Sequence, residues 1–285
     1  MRSAGKRHLA TLGVFLAVAV ASSGAAAAAT VCDLRTALPA NTTCGIGSGL
    51  FATDEQHPTG TGFIDSFVRI QQNGWEEGYN TSGRPLQYHE KTDPNFTRNL
   101  LLSEVTTKTI SGIVYREFFL DINEPGTTNQ NKSFITLDQL EIYVSGTGSL
   151  TSYAKDPNNP NNNATGALTG ATKIYDLDTA SSDNYVQIDY NLSSLGSGSS
   201  DMVFYLPNSL FGDNQYVSLY SQFGKIDNNH NKYKSNAGFE EWFVKSSTDP
   251  GGTTPFLATP EPASLLLLGT GLAAAWRRRQ MSPKT

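Results

Sequence analysis

Phe134-Ile135-Thr136-Leu137-Asp138-Gln139-Leu140-Glu141-Ile142-Tyr143-Val144 is the stretch on which the fold turns. Phe134, Leu140, Ile142 and Val144 recur at even spacing with Gln139 and Glu141 opposite, the two-residue period of a strand with one apolar and one polar face. The pattern returns on either side. Upstream, Val114, Phe118, Leu120 and Ile122 share a face interrupted only by Arg116; downstream, Val186, Ile188, Tyr190 and Leu192 alternate with Gln187, Asp189 and Asn191, and Val217, Leu219 and Phe223 repeat the period. Strand-like runs cover 63–70, 112–122, 134–144, 172–177, 185–192, 202–206, 215–223 and 238–244. Between them lie turn formers: Glu124-Pro125-Gly126, the Asn-rich 156–163, Gly196-Ser197-Gly198 and Asp227-Asn228-Asn229. No window carries a long helical period. The expected fold is all-β, an antiparallel β-sandwich of jelly-roll type with two sheets facing across one apolar layer. Alternation continues on both sides of the Asn-rich stretch, which therefore reads as a surface loop within one domain.

Composition agrees. The chain has 285 residues, 38% hydrophobic and 16% charged, with 26 Gly and 13 Pro, which suits a folded, loop-rich protein and not a coiled coil or disordered chain. The formal charge of −5 hides an asymmetry, because most of the terminal charges are basic. Residues 30–255 hold 14 basic against 25 acidic side chains, a balance of −11. Such a surface repels phosphate backbones, so no nucleic-acid partner is expected.

The ends read as addresses. Arg2, Lys6 and Arg7 precede an apolar run over 9–20 and the small-residue stretch 25–29, the layout of a secretory signal peptide cut near Ala29. At the other end Pro260-Glu261-Pro262 precedes an apolar stretch over 263–276, and Arg277-Arg278-Arg279 follow. Those 14 apolar residues fall short of the ~20 that a helix needs to span a bilayer, so the short hydrophobic helix expected here is a transient stop. The three arginines would hold its end on the cytoplasmic side, leaving the acidic middle outside. The expected division is a signal peptide at 1–29, a β-sandwich ectodomain at 30–255 and a sorting segment at 256–285.

This tail resembles the PEP-CTERM sorting signal, in which a Pro-Glu-Pro element, an apolar segment and a basic cluster follow in that order. The Trp276 junction and the extra residues 280–285 depart from it slightly. The resemblance implies export by the general secretion machinery and transient insertion in the inner membrane of a Gram-negative bacterium. Exosortase, a membrane-embedded processing enzyme, would then cut close to Pro260-Glu261-Pro262, with transfer to the cell surface or release into extracellular polymer. Segments 67–74, 90–98 and 236–242 are similar to stretches that recur in ectodomains bearing this tail, with no activity attached to them.

Cys32 and Cys44 are the two cysteines. In an exported chain they are expected to form one disulfide closing a short loop, worth on the order of 3 kcal/mol.

Enzyme motifs are largely missing. The Gly-Ser segments at 45–49 and 195–199 do not fit a nucleophile elbow followed by a helix, and there is no His-Glu-x-x-His. No glycine-rich loop joins a strand to a helix, so nucleotide use is disfavoured. His57, His89 and His230 each stand singly in polar settings. Glycoside hydrolysis needs two carboxyls. Glu76-Glu77 and Glu240-Glu241 are neighbours whose side chains would point to opposite faces of a strand, so a working pair would have to combine strands, such as Glu241 with Glu117 or Glu141. Ca²⁺ is the one cofactor the sequence suggests, at strand ends around Asp176, Asp178 and Asp183 or Asp121, Asn123 and Glu124, neither with EF-hand spacing. Aromatic residues in polar surroundings, Trp75 and Tyr79 first and then Tyr153, Tyr175 and Tyr233, are candidates to stack on a sugar, whereas Trp242 between Phe239 and Phe243 reads as core. The expectation is a non-catalytic structural, adhesive or polysaccharide-binding component of extracellular polymer. The alternative is a secreted carbohydrate-active hydrolase on a jelly roll.

Overall fold

The computed structural model describes residues 29–39, 41–53, 64–126, 132–155, 166–178, 182–192, 200–224, 233–236 and 238–245. The expected signal peptide up to residue 28, the Asn-rich loop, the turns at 196–198 and 227–229, His57, His230 and the whole sorting segment lie outside these residues.

Among the described residues the chain forms sixteen strands and three short 3₁₀ turns, an all-β fold. One sheet contains β1 (Val31–Leu34), β5 (Glu76–Tyr79), β6 (Leu100–Leu101), β9 (Phe134–Ser145), β12 (Thr172–Asp176), β13 (Tyr185–Asp189) and β15 (Tyr216–Phe223). Its spine is the twelve-residue β9. One side of β9 pairs with β15; the other is shared by β13, opposite residues 134–137, and β12, opposite residues 141–144. β15 carries β5 and β6 in turn. β1 joins β13 in parallel and every other pairing is antiparallel.

The second sheet contains β2 (Cys44–Ile46), β3 (Gly49–Thr53), β4 (Ile64–Ile70), β7 (Thr107–Ile110), β8 (Ile113–Asp121), β14 (Met202–Pro207) and β16 (Glu240–Lys245), in the order β2-β3-β14-β8-β16-β4 with β7 also on β8. A small hairpin-like pair, β10 (Tyr153–Lys155) with β11 (Gly166–Leu168), stands apart from both.

Alternation decides what lies between the sheets. Phe118, Leu120 and Ile122 of the β8 segment, Phe204 of β14 and Trp242 and Val244 of β16 meet Leu140, Ile142 and Val144 of β9 and Val217, Leu219 and Phe223 of β15 in one buried cluster. Arg116 shares the β8 face, as the sequence required. It sits at the edge of the layer, donating to the carbonyls of Leu102 and Val105 and to Asn208 Oδ1. Trp242 spans the layer, its Nε1 donating to Ser221 Oγ at 3.0 Å. Cys32 of β1 and Cys44 of β2 form a disulfide that ties an edge of one sheet to an edge of the other.

Three sequence expectations are corrected. Phe134 does not share the inward face of Leu140. The pairing of β9 with β15 slips beside Asp138, so Ile135 and Leu137 point inward before the slip and Leu140, Ile142 and Val144 after it. Phe134 instead packs its ring edgewise on Tyr233, under the guanidinium of Arg35. The run 185–192 stops being a strand at Asp189, and its last three residues turn into a 3₁₀ segment that leaves Leu192 40% exposed. Val114, at the outer end of β8, is 44% exposed instead of buried.

Segment 88–91 stitches the sheets at one corner, with Lys91 N donating to Arg69 O of β4 and His89 N to Glu77 O of β5. Gly78 permits this approach: a β-carbon there would sit 2.6 Å from Ile70 Cγ2 and 2.6 Å from Glu90 Cγ.

Candidate functional site

The unusual chemistry lies on the face of the first sheet that points away from the core. There β9 presents Gln139, Glu141 and Tyr143, β15 presents Tyr220 and Gln222, β5 presents Glu77 and Tyr79, and β12 presents Lys173. Register brings them together, since Tyr220 lies opposite Tyr79 on one side and Glu141 on the other, and Gln222 lies opposite Glu77 and Gln139.

The β10–β11 pair roofs this face. Tyr153 of β10 stacks on Tyr220 with centroids 4.2 Å apart and planes 9° from parallel. Gly166 of β11 makes room, because a β-carbon there would fall 2.0 Å from Tyr153 Cζ. Tyr79, Tyr143, Tyr153, Leu168 and Tyr220 form a buried cluster of their own, with Tyr88 packed against it.

Two carboxylates anchor the roof. Glu141, fully buried, accepts from Tyr143 Oη, from Tyr153 Oη at 3.0 Å, from Gly166 N at 2.8 Å and from Lys173 Nζ at 2.9 Å. Glu77, also buried, accepts from Tyr220 Oη at 2.5 Å, Gln222 Nε2 at 3.1 Å and Lys155 Nζ at 2.7 Å. Lys155 belongs to β10, so its ion pair closes the roof directly. Loss of hydration pushes the Glu141 carboxyl up to about 7, Asp176 adding to the rise and Lys173 opposing it. Burial and the neighbouring Glu77 raise the Tyr220 hydroxyl far above the usual phenol range, so it stays a donor. His89 at the rim is held below its ordinary value, first by burial and then by Lys155, against the pull of Glu77.

Trp75 lies at the open margin of this face. It is 41% exposed, meets His89 edge to face at 5.4 Å, and has Lys155 Nζ 5.2 Å from its ring centroid. Gln71, Gln72 and Asn73 beside it are exposed.

The other aromatic candidates are elsewhere. Tyr79 is not an open ring: it is 1% exposed under the roof, its hydroxyl donating to Gln87 Oε1. Tyr153 is part of the roof, Tyr175 sits between the sheets donating to Ile46 O, Tyr233 packs on Phe134 and Arg35, and Trp242 is core.

The proposed carboxylate pairs do not assemble. Glu117 accepts from Thr106 Oγ1, and Glu241 is paired with Arg69 at 2.7 Å. Both belong to the second sheet, but Glu241 lies opposite Asp121, four residues along β8 from Glu117. That offset is about 13 Å, beyond the ~5–9.5 Å used by glycosidases. Glu141 lies in the other sheet.

Nor do the calcium candidates converge. Asp176 holds Lys173 at 2.7 Å and accepts from Gln139, and Asp178 accepts from Asn184 N. Asp121 lies opposite Glu241, whereas Glu124 accepts from Asn236 N at 3.0 Å through both oxygens. Among the described residues no three His, Cys, Asp or Glu side chains gather so as to hold a metal ion, and no helix is long and apolar enough to cross a membrane.

Sequence reasoning passed over Glu77, Lys155 and Lys173 as members of one site. The available signal was the run Glu141-x-Tyr143 against Tyr220-x-Gln222, hydrogen-bonding groups at every second position on the supposedly solvated faces of two core strands.

Comparison with known proteins speaks for the tail. The family model described as the PEP-CTERM protein-sorting motif matches residues 258–279, which include Pro260, Glu261, Pro262, Arg277, Arg278 and Arg279. No curated protein and no solved structure matches the chain. The motif is a substrate signal for exosortase. The chain therefore carries a PEP-CTERM sorting motif, and through it is an exported, cell-surface-associated protein processed by exosortase.

Proposed function

We propose that the ectodomain is a non-catalytic, adhesive component of extracellular polymer at the surface or in the matrix of a Gram-negative bacterium, and that it binds polysaccharide at Trp75. The exposure of Trp75 beside Lys155 carries this reading. A flat indole edged by amide side chains and one cation offers a stacking surface for the C–H face of a sugar and donors for its hydroxyls. The carboxylates behind it are closed off: Glu77 and Glu141 are buried, and each is saturated by donors that fasten the roof. Before processing, the 263–276 stretch would anchor the chain in the inner membrane.

Trp75→Ala is expected to weaken retention of the mature protein on extracellular polysaccharide by about tenfold, equivalent to ~1.4 kcal/mol. Thermal stability should change little, because the side chain is exposed. Retention equal to wild type would remove Trp75 from the reading. Release of sugar products, abolished by Glu141→Gln, would replace adhesion with the hydrolase alternative.

A further inference from the structure

We infer that one end of the sandwich is a proton-operated latch: the buried carboxyls of Glu76 and Glu124 hold it shut while protonated, and loss of their protons springs it.

The placement follows from register. On β16, Glu240 is two residues from the core residue Trp242 and pairs with Ile70 of β4; on β5, Glu76 pairs with the core residue Phe223. Glu124 follows the core residue Ile122 by two positions. Segment 233–236 closes this end: Ser235 O accepts from Gly74 N at 2.9 Å, Ser235 Oγ donates to Gln72 O at 3.0 Å, and Asn236 N donates to Glu124. Glu76 and Glu240 are 0% exposed and Glu124 2%.

Their hydrogen bonding is incomplete in a telling way. Glu76 accepts from Gln72 N through one oxygen, while its Oε1 has no partner, and neither oxygen of Glu240 has one. An isolated buried carboxylate costs so much that the group takes up a proton instead. Compensation by cations is missing: among the described residues none of the three has an ion pair, Arg69 being engaged by Glu241. Of the other charged groups nearby, Lys132 and Lys234 are exposed and reach Asn236 only through their backbone carbonyls. Asp121 lies opposite Glu241, Glu90 accepts from Tyr79 N and Tyr88 N, and Asp138 of β9 adds a further buried acid. A divalent ion could also offset such a group, but among the described residues no three His, Cys, Asp or Glu side chains gather so as to hold one. Protons are the remaining remedy.

Burial raises the Glu76 carboxyl to about 8, the nearby Glu124 adding to the rise, and burial raises Glu124 to about 7. A carboxyl raised on folding contributes its stability below the unfolded value near 4.5 and loses it as pH climbs through the folded value. The latch is therefore closed at pH 5 to 6 and opens between about 7 and 8.

Hydrogen exchange of the Gly74 and Asn236 amides in the full protein, read by NMR after correction for intrinsic base catalysis, tests this. Their protection is expected to fall at least tenfold between pH 6 and 9 while Leu219 stays protected, and Glu76→Gln, which keeps an acceptor for Gln72 N, should flatten that fall. Glu124→Gln, which keeps an acceptor for Asn236 N, should do the same and serves if the first variant fails to fold. Local readout is required because Glu141 shifts whole-molecule stability with the same sign. Protection that is flat or rises with pH would overturn the latch. So would restoration of protection at pH 9 by millimolar Ca²⁺, which would make the cluster a cation site.

Discussion

Trp242→Ala is expected to lower the unfolding free energy by about 3–5 kcal/mol, the range for truncating a buried aromatic side chain. Trp242 is fully buried, and it links the sheets by a hydrogen bond as well as by packing. Its loss would leave a cavity between β16 and β15 and orphan the hydroxyl of Ser221, which is itself fully buried. Because domains of this kind are stable by only ~5–15 kcal/mol, such a variant should unfold at markedly lower denaturant with little change in slope. Trp242→Phe keeps most of the volume but loses the indole donor, so it should recover most of the deficit. Urea melts of the two variants beside wild type measure both terms, and a Trp242→Ala cost under ~1 kcal/mol would contradict the placement of this residue at the centre of the layer.

The second large effect lies on the opposite side of the first sheet. Glu141→Ala is expected to cost about 3–5 kcal/mol at neutral pH, the magnitude for removing one partner of a buried pair. The substitution leaves Lys173 with Asp176 as its carboxylate partner, leaves Tyr143 Oη with Gly166 O, and takes the Glu141 acceptor from Tyr153 Oη and from the amide of Gly166. Gly166 belongs to β11, so the roof should loosen before the sheet does. Proteolysis within 153–168 at protease levels that spare wild type, together with a fall in melting temperature, would report the two events separately. Lys155→Ala should loosen the roof more mildly, because Glu77 keeps the Tyr220 and Gln222 donors. Roof stability unchanged in Glu141→Ala would show that stacking of Tyr153 on Tyr220 suffices without the carboxylate.

What could be read from the sequence depended on how local the cause is. The strands β4, β8, β9, β14, β15 and β16 each bury side chains against a partner sheet, and their alternation shows it. The slip at Asp138 does not show: a bulge adds one residue without altering composition, and so Phe134 was placed on the wrong face. β5 was invisible for a different reason. Glu76-Glu77-Gly78-Tyr79 has no apolar alternation because its inward position holds an acid, and its glycine answers to Ile70 and Glu90, which are distant in sequence or on another sheet. Tyr79 reads as a surface ring in the sequence and is covered in the structure, because its roof comes from β10 and β11, more than seventy positions away. The parallel pairing of β1 with β13 is likewise long-range. The sorting motif, by contrast, is linear, and its Pro-Glu-Pro, apolar and arginine elements are legible without any fold.

That legibility makes processing the most direct test. Mass spectrometry of the extracellular protein should recover a C-terminal peptide ending close to Pro260-Glu261-Pro262 and nothing beyond it. Replacement of these three residues by alanine should leave the uncut chain with the cell membrane. Secreted material carrying intact peptides from Leu265 through Arg279 would contradict exosortase processing.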